Sequence, residues 1–135
     1  MKKLFISLVL IYLSLTNLSL SAEKWYQCKI TDTIPKIPRE YVDALPIATF
    51  GINFNLNQVK LLNISTILNV KVNPDLVSFN YEFKTNQGKE LVGYIYFEPK
   101  KLKYQQNNYP YEKAIKGSLK ASDLYNQLNG VCVLL

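Results

Sequence analysis

The chain has 135 residues, with 16 Lys and Arg against 10 Asp and Glu, two cysteines, five glycines and no histidine. The missing imidazole removes the commonest general base and every Ser-His or Cys-His nucleophile arrangement, and no phosphate-cradling loop or dinucleotide fingerprint occurs. Carboxylates scattered along a chain without His offer no transition-metal set, so neither a metal nor any other cofactor is expected, and the protein is read as a non-enzyme.

Residues 1–22 have the three parts of a cleavable signal peptide: basic Met1-Lys2-Lys3, a nearly all-apolar run over 4–15, and small residues in Ser19-Leu20-Ser21-Ala22. Cleavage is expected after Ala22; the bond after Ser21 is the alternative, because Leu20 is bulky for its place before the cut. An uncleaved anchor over 4–20 is the rival reading, and Ser14, Thr16, Asn17 and Ser19 weigh against it. The domain assignment is thus 1–22 signal peptide and 23–135 one β-rich exported domain, secreted or periplasmic, with net charge +4 once Lys2 and Lys3 are removed.

The first strand is expected over 24–30, which is rich in aromatic and other strand-favouring residues and carries Cys28. In an exported chain its partner is Cys132, and the pair closes nearly the whole domain. Pro35 and Pro38 keep the next stretch irregular, although Pro38 can open a short helix over 39–45 that Pro46 ends. From Thr49 the pattern turns to period two, with Phe50, Ile52, Phe54 and Leu56 on one face. Residues 59–72 read as two short strands or one bent one, and Asn73-Pro74-Asp75 as a turn.

The clearest local signal is a hairpin over 77–97: Val77, Phe79, Tyr81 and Phe83 alternate with polar residues, Thr85-Asn86-Gln87-Gly88-Lys89 reverses the chain, and 91–97 returns. Gly93 marks a bulge or a close backbone approach. Residues 99–120 are expected to be a loop with strand pieces at 102–104 and 114–119. Ser122 can cap a short helix ended by Asn129-Gly130, or that pair is itself a hairpin turn; either way 131–133 forms a last strand beside the first. The fold class is mainly β: a small antiparallel β-sandwich or barrel with at most one or two short helices, closed by one disulfide. An outer-membrane barrel also alternates apolar and polar residues, but the chain is short for eight membrane strands and ends in Leu134-Leu135.

The candidate binding surface is Lys100, Lys101, Lys103, Tyr104, Tyr109 and Tyr111, within a basic segment that continues through Lys113, Lys116 and Lys120. Cations neutralise an acidic ligand such as a glycan or lipid phosphate, and tyrosines offer stacking faces; the plain alternative is loop and edge charge that keeps a β-protein from pairing with itself. The aromatic content could line a cavity, with core packing as its alternative, and Trp25 lacks the Gly two positions earlier that a lipocalin resemblance requires. Glu82 and Glu98 are the one carboxylate pair on neighbouring predicted strands, the minimum for a small hydrolase. Asn63-Ile64-Ser65 fits an N-glycosylation acceptor.

In architecture alone, a signal peptide followed by a small barrel with a terminus-to-terminus disulfide resembles bacterial periplasmic lysozyme inhibitors and other envelope binding modules. The expected function is an exported, non-catalytic small binding module, an inhibitor or ligand carrier, or alternatively an accessory subunit that docks on a protein partner through a strand edge.

Overall fold

Alternating apolar and polar residues in successive segments give strands with one buried face, and closing the sheet buries those faces against each other. The computed structural model describes residues 23–64 and 66–135; the signal-peptide assignment and Ser65 of the glycosylation pattern lie outside them. Among the described residues eight strands occur: β1 (Glu23–Ile34), β2 (Ala48–Asn53), β3 (Gln58–Leu61), β4 (Leu68–Val72), β5 (Val77–Lys84), β6 (Glu90–Glu98), β7 (Lys103–Pro110) and β8 (Asn126–Leu134). Two short helices, α1 (Arg39–Asp43) and α2 (Tyr111–Ala114), and a 3-10 turn at Ala121–Asp123 lie in the connections.

The sheet order is β3-β2-β1-β8-β7-β6-β5-β4, with every pair antiparallel. Except at the β3–β4 step, each strand therefore pairs with its neighbours in sequence, and β1 pairs with β8. The result is an up-and-down, nearly closed barrel whose open seam runs between β3 and β4. Of the two architectures expected, the barrel is the one formed. Cys28 and Cys132 stand opposite each other in the β1–β8 register and form the expected disulfide.

The core fills one half of the barrel. Phe50, Phe79 and Phe97 are fully buried with Ile52, Ile95 and Val77. Phe50 meets Phe97 edge-on at 5.0 Å between ring centres, and Tyr26 packs on Phe97 at 4.7 Å. An eight-stranded barrel is just wide enough for such side chains to fill.

The hairpin forms as β5 and β6, and 59–72 resolves into β3 and β4. Three expectations are corrected. The expected loop over 99–120 contains β7, a central strand held between β6 and β8, and 114–119 carries no strand. Gln105-Gln106-Asn107-Asn108 looks unlike a strand because its inward amides bond one another instead of packing as hydrocarbon. Neither a helix after Ser122 nor a turn at Asn129-Gly130 forms, since both residues of that pair lie inside β8. Gly130 is there for space: a Cβ on it would stand 2.5 Å from the Lys29 carbonyl oxygen, beside the register shift between Ile30 and Asp32. The alternating stretch from Thr49 ends at Asn53, whose side chain accepts from the backbone N–H of Asn55 and Leu56 and turns the chain, leaving Leu56 exposed.

Candidate functional site

The other half of the barrel is hollow. A cavity of about 550 Å³ opens between the 35–47, 62–67, 85–89 and 111–125 connections, all at the same end because the strands run alternately up and down. Inward positions of seven strands line it, including Ile30, Ala48, Leu61, Phe83, Leu91 and Leu128. Leu45, Pro46 and Ile47, just before β2, stand at the mouth. The volume lies within the range of small-molecule sites, about 300–1,000 Å³.

Between the aromatic core and the cavity lies a chain of neutral polar groups. Tyr104 Oη donates to Gln106 Oε1 at 2.6 Å; Gln106 Nε2 donates to Asn108 Oδ1 at 2.8 Å and to Tyr81 Oη at 3.1 Å; Asn108 Nδ2 donates to Asn126 Oδ1 at 2.7 Å. Tyr104, Gln106 and Asn108 follow one another on the inner face of β7, two residues apart, and are at most 5% exposed. The Tyr104 ring stacks on Phe50 at 6.2 Å, so its body belongs to the core and its hydroxyl to the cavity.

The hydrogen bonds in this chain all run one way. The Tyr81 oxygen receives one from Gln106 and gives none to any described residue, and the Asn126 oxygen is likewise taken. Tyr81 and Asn126 both line the cavity, and neither the Tyr81 hydroxyl proton nor the Asn126 amide protons are given to a described residue, which leaves them available as donors. Burial raises the Tyr104 pKa well above its ordinary value, with neighbouring Tyr81 adding to the shift; burial also raises Tyr81, which the Gln106 hydrogen bond partly offsets. Both hydroxyls stay protonated at neutral pH, and Lys84 is the one charged residue lining the cavity among the described residues.

The sequence-predicted surface does not assemble. Tyr104 points into the barrel, away from the lysines. Lys100 bonds Asp75 at 2.7 Å and Lys101 bonds Glu98 at 3.3 Å, both at the closed end. Lys103 lies on the outer wall opposite Val131, while Tyr109 packs edge-on against Tyr94 at 5.5 Å further along that wall. Tyr111 begins α2 at the mouth, the full height of β7 away. Glu82 and Glu98 face outward at opposite ends: Glu82 pairs with Val92, six residues from Glu98 along β6. At about 3.3 Å per residue that is roughly 20 Å, too far for the two to act on one bond.

Gln106, Asn108, Asn126 and Tyr81 were not legible as site residues. The one sequence signal is Gly93, whose missing side chain makes room for Gln106 and Asn108. Among the described residues no cluster of acids, Cys or His could hold a metal, and no helix is long and apolar enough to cross a membrane. The disulfide suits a non-reducing compartment. No protein-family model, curated protein or solved structure matches the chain.

Proposed function

We propose that the protein is an exported carrier of small ligands, cleaved after Ala22 or Ser21, that holds in its barrel an apolar molecule bearing a hydrogen-bond-acceptor head such as a carbonyl or carboxylate. The observation that carries this reading is the one-way amide chain, which presents spare donors from Tyr81 and Asn126 to a largely apolar cavity. Apolar walls supply affinity through burial, and a few placed polar groups fix orientation. Nothing in this role requires a nucleophile or a general base.

The test is native mass spectrometry of the protein recovered from its host's exported fraction, followed by titration with a medium-chain methyl ketone and the alkane of equal length. A retained small molecule, tighter binding of the ketone, and loss of both on Ala48→Phe, which fills the cavity from its wall, are expected. Equal binding of ketone and alkane, or binding that survives Ala48→Phe, would sink the reading.

A second reading, an accessory subunit of a larger assembly, draws on the seam. β3 and β4 each lack one hydrogen-bonded neighbour and could accept a partner's strand. Migration in a large complex in host extracts would favour it.

A further inference from the structure

The four connections around the cavity mouth differ in character from those at the closed end. Three of them expose large apolar side chains at their tips: Tyr41 and Ile47 before β2, Leu62 after β3, and Ile115 after α2 are each more than half exposed. Interleaved with them, Lys36, Lys113, Lys116 and Lys120 form no ion pair with any described residue. The closed end also exposes Leu56, Leu76, Leu134 and Leu135, so the two ends differ in their cations: both lysines of the 99–102 turn are engaged, Lys100 by Asp75 and Lys101 by Glu98. The basic segment seen in the sequence is thus split by β7: Lys100 and Lys101 are paired at the closed end, Lys103 stands on the outer wall, and Lys113, Lys116 and Lys120 are unpaired at the mouth.

Exposed apolar tips set among free cations are what an interface with anionic lipid needs: apolar groups enter the boundary between headgroups and acyl chains while lysines stay at the phosphates. Soluble surfaces shed such combinations unless something covers them. The excess of cations selects a negatively charged cover: across the four connections Lys36, Arg39, Lys89, Lys113, Lys116 and Lys120 outnumber Glu40, Asp43, Glu112 and Asp123.

We propose that the barrel docks mouth-first on an anionic lipid surface, with Tyr41, Ile47, Leu62 and Ile115 entering the interface and Lys113, Lys116 and Lys120 at the phosphates. Docked this way the cavity opens directly onto the acyl chains, so its ligand passes between membrane and barrel without crossing bulk water. This purpose rests on the carrier reading; the docking itself is tested separately.

The experiment is co-sedimentation of the exported protein with vesicles of phosphatidylcholine alone or mixed with phosphatidylglycerol. Binding to mixed vesicles and little to phosphatidylcholine is expected. Lys113→Gln/Lys116→Gln/Lys120→Gln should weaken it roughly a hundredfold, from the usual contribution of each lysine near such a surface. Tyr41→Ser/Ile115→Ser should weaken it at every ionic strength, and Lys100→Gln/Lys101→Gln at the closed end should leave it unchanged. These surface changes keep the barrel intact, which matched thermal melts check. No binding to mixed vesicles, or equal loss from the closed-end pair, overturns the proposal. Ala48→Phe separates the two readings: vesicle binding that persists when ligand binding is lost upholds docking whatever the cavity holds, while ligand binding in solution without vesicle binding leaves the carrier and removes the docking.

Discussion

Gly93 faces Asn108 across the β6–β7 ladder, and a Cβ on Gly93 would stand 3.1 Å from both Asn108 Oδ1 and Gln106 Nε2, with Tyr81 Cε1 at 3.3 Å. The glycine serves as the empty space in which the amide chain runs. An alanine there asks two flexible side chains to yield a few tenths of an ångström, which the strand propensity gained over glycine roughly offsets. A valine has to break the chain. Gly93→Val should therefore lower stability by about 1–3 kcal/mol and abolish the preference for ketone over alkane, while Gly93→Ala stays near wild type. Urea unfolding and ligand titration of the two variants check this; equal behaviour would show that the chain does not depend on that space.

Tyr104 offers a test of the buried network by pH. Its folded pKa lies well above the ordinary value near 10, so the neutral hydroxyl is the form the fold favours. The stability this contributes is fully present below pH about 10 and is lost as pH rises and the unfolded chain ionises there. Tyr81, also raised, acts in the same direction. Unfolding free energy should fall from about pH 10 upward, less steeply in Tyr104→Phe. That variant should also lose about 1–3 kcal/mol at neutral pH, because Gln106 Oε1 is left buried without its donor. A wild-type slope unchanged by the substitution would place the alkaline loss elsewhere.

The Cys28–Cys132 bridge spans a sequence separation of 104 and joins the first and last strands, which pair within the sheet and hold its β3-β2-β1 part to the rest. Cys28→Ser/Cys132→Ser should cost about 2–5 kcal/mol, read as a lower urea midpoint. Coincident midpoints would mean that the β1–β8 ladder alone holds the chain ends.

Trp25, the single tryptophan, lies over Gly51 on the outer wall, where a Cβ would stand 2.8 Å from the indole. Its fluorescence reports on the β1–β2 pairing, outside the cavity. Gly51→Val should push the ring into solvent and shift its emission to the red while leaving ligand binding intact; an unshifted spectrum would show that the wall yields elsewhere.

The sequence by itself determined the β character, the disulfide and the strongest hairpin, because each rests on local chemistry: alternation along Val77, Phe79, Tyr81 and Phe83, reversal near Gly88, and two cysteines with one possible pairing. It also singled out Gly93, but as a bulge or a close backbone approach, where the structure shows an unbroken register and room for the side chains of Gln106 and Asn108. Only the tertiary structure decided that Gln106 and Asn108 form a strand, since buried amides are stable in a sheet only when other elements supply their partners, here Tyr81 and Asn126. The same holds for the lysines. Residues adjacent in sequence lie at opposite ends of an eight-stranded barrel because β7 runs its full height between them, so a basic segment read along the chain is not a basic surface.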